Sequence, residues 1–236
     1  MKLLLFDIDG TLIRSNGAGR EVMAASLREV FGTAGPIDAY KFSGKTDQQI
    51  IIDLLTAAGI SNEQIILGLP HIYQTMIEKG RQIFPQRGME PCAGVESLLQ
   101  KLSQRDDVTL GLLTGNIAGT APLKLAAAGI DPGQFQLGAY GCDSINRHDL
   151  LHIAMQRASN LTTLAYSGNN TVVIGDTPAD IACARSGKAT AVAVASGWTD
   201  SPTLAQYQPD YLLCDLSDTT AVINILLSQP NSRKRQ

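Results

Sequence analysis

Two hydrophobic rhythms alternate along the 236-residue chain. Short β-type runs recur at Lys2–Ile8, Val108–Leu113, Gln136–Tyr140, Thr171–Ile174 and Thr190–Val194, with Tyr211–Cys214 a sixth candidate. Several are continuously apolar, which marks strands covered on both faces of a parallel sheet. Between them, helical spacing appears at about Val95–Gln104, Gly119–Ala128, His148–Ala158 and Pro178–Ser186. This repetition predicts a three-layer α/β fold, a doubly wound parallel sheet with helices on both sides.

From about Arg14 to Pro85 the strand rhythm is missing. Arg20–Phe31 reads as a helix closed by Gly32, and Gln48–Ala58 as another closed by Gly59. A third starts at Ser61, spaced from Gln64 as in a capping box. It runs to Phe84-Pro85, with Gly68-Leu69-Pro70 as a candidate interruption. The expected organisation is an α/β core from residues 1–13 and 86–236, with a helical insert at 14–85.

Composition narrows the function classes. Hydrophobic residues make up 44% and charged residues 17%, as in a globular chain. The net charge of −3 gives no sign of a general affinity for nucleic acid, and the basic tail Arg233-Lys234-Arg235 reads as a solvated terminus. Cys92, Cys142, Cys183 and Cys214 are too far apart for a metal knuckle or redox pair and fit buried thiols in a reducing compartment. The opening apolar run is too short for a signal core or a membrane span. Without a signal, the glycosylation-type triplets at Asn160 and Asn169 read as chance. A soluble cytoplasmic protein is expected.

Ligands of open parallel sheets bind beyond the carboxyl ends of the strands. Here those ends read Asp7-Ile8-Asp9-Gly10-Thr11, Thr114-Gly115-Asn116 and Gly175-Asp176-Thr177-Pro178-Ala179-Asp180. Asp7 and Asp9 are two apart on the first strand and so share a face, where repulsion raises the pKa of one. Asp176 adds a third acid. Hard oxygen ligands without His or Cys suit Mg²⁺, which is commonly held by a pair of carboxylates plus substrate phosphate. Each feature also has a plain reading: Asp9-Gly10 as a turn, Thr177 as a helix cap, Thr114 as a strand residue. Their convergence on one sheet edge favours chemistry.

In order and spacing, Asp7-Ile8-Asp9-Gly10-Thr11-Leu12, Leu113-Thr114-Gly115-Asn116 and Gly175-Asp176-Thr177-Pro178-Ala179-Asp180 resemble the signature motifs of the haloacid-dehalogenase-like hydrolases. The likeness spans nearly the whole chain, and the helical insert looks like the cap domain of the phosphoglycolate-phosphatase-like branch. The resemblance implies a Rossmann-like core and a Mg²⁺-dependent phosphatase acting on a small phosphorylated metabolite. It makes Asp7 the nucleophile and Asp9 the general acid and base. Asp7, Asp176 and the backbone carbonyl of Asp9 would hold Mg²⁺, with Asp180 orienting the metal site or the basic residue. Thr114, with the amides of Gly115 and Asn116 and the turn at Gly10, would grip the phosphoryl oxygens. A cation to neutralise the phosphoryl group is also implied. Arg147, just after the N-cap Asn146, is the first choice and Lys124 the second.

Ser43-Gly44-Lys45-Thr46 looks like the end of a P-loop, but Ala39 stands where that pattern needs Gly. Lys45 then belongs either to a cap loop touching substrate or to a solvated turn. His148 and His152, one helical turn apart, read as an exposed face, and Trp198 as either packing or pocket lining. Two alternatives stand beside the phosphatase. One is a phosphotransferase or mutase of the same superfamily, against which Ser15-Asn16-Gly17 lacks the expected His. The other is a non-catalytic binding protein on the same scaffold. No oligomeric state is legible.

Overall fold

The computed structural model describes residues 1–228, so the basic tail at 233–235 lies outside the described residues. Six parallel strands form the sheet, in the order β5 (Leu137–Ala139), β4 (Val108–Leu113), β1 (Lys2–Phe6), β6 (Thr171–Gly175), β7 (Thr190–Val194) and β8 (Tyr211–Leu213). The registers place Phe6 beside Leu112 on one flank and Ile174 on the other. Strand β1 is central because Leu3, Leu4, Leu5 and Phe6 are all fully buried. Burial of each is worth about 1.5–3 kcal/mol, a gain an edge strand with one open flank would not collect in full.

Alternation divides that strand between two layers. Leu4 and Phe6 join the core beneath α4 (Val95–Leu102), α5 (Ala121–Ala127) and α9 (Thr219–Leu227). Leu3 and Leu5 join the core beneath α6 (Arg147–Thr162), α7 (Pro178–Ser186) and α8 (Ser201–Gln206). The three-layer α/β architecture is therefore the one the sequence predicts. Helices α8 and α9 are additions to it.

Between β1 and β4 comes the helical insert, with α1 (Ala18–Phe31), α2 (Asp47–Ala57) and α3 (Asn62–Ile83). Gly32 and Gly59 adopt φ of 72° and 83° past the ends of α1 and α2, a left-handed conformation that favours glycine. Ser61 and Gln64 form the full capping box. Several expectations need correction. The insert is entered and left through a short antiparallel ribbon, β2 (Ile13–Arg14) with β3 (Glu90–Pro91), so Arg14 is a strand residue. Two-residue strands carry no readable alternation. In addition, α3 is not interrupted at Gly68-Leu69-Pro70. A Cβ on Gly68 would lie 2.6 Å from the Phe31 ring, so this glycine permits close packing of α3 on α1. Buried Leu69 and Ile72 hold the helix through exposed Pro70. Cys92 and Cys183 are buried, but Cys142 is half-buried and Cys214 exposed, against the expectation of four buried thiols. No helix among the described residues is long and apolar enough to cross a membrane.

Candidate active site

Strand β1 stops at Phe6, two residues earlier than expected, although the Asp7 amide still donates to the Ile174 carbonyl at 2.9 Å. The chain then turns at Gly10 (φ 88°), whose amide donates to the Ile13 carbonyl at 2.8 Å. The plain reading of Asp9-Gly10 as a turn is thus realised, and the same turn presents the acids. A Cβ on Gly10 would come 2.4 Å from Oδ2 of Asp176, and one on Gly197 1.8 Å from the same oxygen. Asp176 is therefore clamped between two backbones, with the Thr11 hydroxyl donating to its Oδ1 at 3.3 Å. Gly197, in the loop after β7, carried no sequence signal beyond being a glycine.

One carboxylate oxygen each from Asp7, Asp176 and Asp180 lie within 4.8 Å of one another, all three residues buried. Both oxygens of Asp180 are engaged. Oδ1 accepts from Arg147 Nη2 at 2.6 Å, and Oδ2 accepts from the Thr177 amide at 3.0 Å and its hydroxyl at 2.6 Å. Thr177 caps α7 in return, so here too the plain reading and the site coexist. Asn146 caps α6 and puts Arg147 at its first turn, where the buried guanidinium also lies 3.1 Å from Oδ1 of Asp7. Burial, reinforced by Asp180 and Asp9 against the pull of Arg147, pushes the Asp7 carboxyl up to about 6. Burial beside Asp7 and Asp180 pushes Asp176 well above the usual carboxylate range. Three buried acids share one guanidinium, and that excess of negative charge fits a hard divalent cation on Asp7 and Asp176. Asp180 is placed to orient Arg147.

Asp9 faces a different partner. Lys124 Nζ, buried within α5, contacts its two oxygens at 2.9 and 2.7 Å, and Asn116 Nδ2 donates to Oδ2 at 2.7 Å. Burial works against the Asp9 charge, but Lys124 and Asn116 outweigh it, and the carboxyl is held below its ordinary value. Of the two neighbours, Asp7 is the one raised. Asn116 Nδ2 also donates to the Thr114 hydroxyl at 2.9 Å, tying that fully buried residue to Asp9. The two candidate cations therefore serve different acids: Arg147 reaches Asp7 and Asp180, Lys124 reaches Asp9.

A cavity of about 360 Å³ opens over these groups. Its floor is the sheet edge, and the insert supplies Arg20, Phe42, Lys45, Asp47, Ile50 and Met76. Lys45 lines it as part of the loop before α2, where Thr46 is the N-cap. Its ammonium is bound to the Tyr40 hydroxyl and lies 3.2 Å from Asp53. The insert is seated on the core there: the Asp47 amide donates to the Gly115 carbonyl at 2.7 Å, and the Thr46 hydroxyl to the Ile145 carbonyl at 3.0 Å. Gly115 allows this, since a Cβ would lie 2.1 Å from the Lys45 carbonyl. Trp198 lines the cavity yet is 85% exposed, so it stands at the rim. His148 and His152 are exposed and outside the acid cluster.

Comparison with known proteins identifies the family and the fold. Residues 4–194 match the family described as haloacid dehalogenase-like hydrolase. The chain is 21% identical to the pyrophosphatase PpaX of Oceanobacillus iheyensis, over 94% of this chain and 97% of that one. A solved hydrolase from Pseudomonas syringae superposes with a TM-score of 0.70 at 21% identity, covering 97% of this chain and all of the other. A structure from Haemophilus somnus, described as a predicted phosphoglycolate phosphatase, gives 0.68 at 19% identity, covering 94% and 98%.

Proposed function

This chain belongs to the haloacid dehalogenase-like hydrolase family, and on that premise we propose that it is a Mg²⁺-dependent phosphatase of small cytoplasmic phosphomonoesters with Asp7 as nucleophile. The observation that carries the reading is the buried cluster of Asp7, Asp176 and Asp180 against a single guanidinium, with Asp7 and Asp176 lining the cavity. Phosphoryl transfer depends mostly on positioning and on spreading charge over cations and donors. The cluster, with a cation bound and Arg147 beside it, would supply both.

In this reading residues 1–13 and 86–236 form the catalytic core and 14–85 the cap. Asp7 and Asp176, with the Asp9 carbonyl, would hold the cation. Bound there, Mg²⁺ would offset phosphoryl charge and keep Asp7 ionised. A carboxylate oxygen of Asp7 attacks phosphorus, the P–O bond to the alcohol breaks, and Asp9 delivers a proton to the departing oxygen. The aspartyl phosphate is then attacked by water, whose proton Asp9 accepts, and inorganic phosphate leaves Asp7 free. Thr114, with the Gly115 and Asn116 amides, grips the phosphoryl oxygens, and Arg147 lies beside Asp7 to balance their charge. Asp9 paired with Lys124 is a carboxylate, the form the second step needs. For the first step it must take a proton when substrate enters.

The test is phosphate release from an activated aryl phosphate. EDTA should abolish it, added Mg²⁺ restore it, and Asp7→Asn remove nearly all of it while leaving the fold intact. Turnover near the wild-type rate by Asp7→Asn would refute the nucleophile.

A further inference from the structure

Four carboxylates line the cavity: Asp7, Asp9, Asp47 and Asp176. Asp7 has Arg147, Asp9 has Lys124, and Asp176 belongs to the proposed cation site. Asp47 has no assigned work. Among the described residues no Lys, Arg or His nitrogen lies within 4.0 Å of its carboxylate.

Its side chain accepts one hydrogen bond, from the Ile117 amide to Oδ2 at 3.0 Å. Oδ1 accepts none, and it is not sealed. The buried unpartnered side-chain atoms among the described residues are the Tyr73 hydroxyl and Nε of Arg147. One carboxylate oxygen is therefore open to the cavity. Local structure does not demand an acid here. Thr46 already caps α2, and an Asn side chain would satisfy Ile117 equally well. An acid in the first helical turn is a mild preference, whereas this one is buried enough for its carboxyl to be pushed up to about 6, despite Lys124 nearby.

The bases on the same side are already engaged. Lys45 is held by Asp53 and Tyr40. The Arg20 guanidinium donates to the Ile37 and Tyr40 carbonyls, fixing the loop that carries Lys45. Lys41 is exposed. Among the half-buried polar groups of the insert at the cavity, the one left open is thus an acceptor, the Asp47 carboxylate.

We propose that Asp47 selects substrate by accepting a hydrogen bond from a hydroxyl or ammonium group on the alcohol part, and that it disfavours an alcohol bearing a second anion. The inference rests on the phosphatase reading and narrows it, away from phosphorylated hydroxy acids and toward phosphorylated polyols or amino alcohols. The physical basis is that a charged acceptor binds a donor strongly, while a like charge placed against it is rejected.

The experiment compares kcat/KM for glycerol 1-phosphate, phosphoethanolamine and phosphoglycolate, with Mg²⁺, in wild type and Asp47→Asn. Asparagine keeps the acceptor for Ile117 and removes only the charge. Wild type should favour the two donor substrates, and the better of them identifies the donor as hydroxyl or ammonium. In Asp47→Asn the ratio of phosphoglycolate to the better donor substrate should rise by about tenfold or more. Should the variant misfold, wild type alone decides through competitive inhibition by unreactive phosphonates. 2-Hydroxyethylphosphonate should then bind more tightly than phosphonoacetate, and the reverse order would overturn the proposal. Aryl phosphate turnover with an unmoved substrate ratio would overturn the role of Asp47 alone. No turnover of any ester with Mg²⁺ would instead bring down the phosphatase reading and this inference with it.

Discussion

Asp7 and Asp9 sit two positions apart, yet their surroundings divide them. Asp7 is raised by burial and by neighbouring acids, while Asp9 is lowered by Lys124. Neighbouring titratable groups driven in opposite directions are the usual mark of divided acid–base labour. Asp9→Asn should keep the cation site, because only its carbonyl is assigned there. General acid–base help is worth typically 10²–10⁴-fold, so steady-state turnover of poor leaving groups should fall by about that much. Single-turnover cleavage of an activated aryl phosphate should suffer much less, since that alcohol leaves without a proton. Equal losses for both in rapid-quench kinetics would take the acid role from Asp9. At this scale the sequence pointed to Asp7, Asp9 and Asp176 because each follows an apolar strand, and to Asp180 because it lies in the first turn of the helix that Thr177 caps. It did not decide between Arg147 and Lys124. That choice turns on which helix face each occupies and how far each side chain reaches, across 115 residues in the case of Lys124 and Asp9. Asp47 passed unnoticed because an acid in a first helical turn reads as ordinary helix chemistry.

At the scale of elements, the six core strands were legible as short β-type runs, several of them continuously apolar, with some ends shifted by a residue or two. Strand β1 shows why ends shift: its apolar pattern runs on to Ile8, but the turn at Gly10 ends regular pairing at Phe6. Gly68 and Pro70 were the misleading pair. Both carry strong helix-breaking statistics, and both are overruled by tertiary contact, Gly68 by the Phe31 ring and Pro70 by its exposed position between buried anchors. The β2–β3 ribbon was invisible, since two residues have no period. It is nevertheless the element through which the chain passes from sheet to insert and back, and so it fixes where the insert sits over the sheet edge.

For the whole molecule, the raised acids tie stability to proton and cation occupancy. Asp7 and Asp176 have native values above the ordinary carboxylate value, so the metal-free fold takes up protons there that the unfolded chain does not. Their contribution to stability is present at acid pH and is lost as pH rises from about 4 through about 6 and beyond. A divalent cation should restore it at neutral pH and compete with protons below about 6. Melting at pH 7.5 should therefore shift upward with Mg²⁺. At a concentration of about 100 Kd the gain is about 2.7 kcal/mol, or roughly 5–10 °C for a chain of this size. The shift should shrink at pH 5 and vanish in Asp7→Asn. An equal shift at both pH values, measured by calorimetry, would argue that the cation binds elsewhere. The covalent use of Asp7 can be observed chemically. Asp9→Asn, mixed with an activated aryl phosphate and Mg²⁺ and quenched in acid, should carry a phosphate-mass adduct that peptide mapping places on Asp7. Phosphate release from that variant with no adduct at Asp7, or an adduct on another residue, would contradict the account.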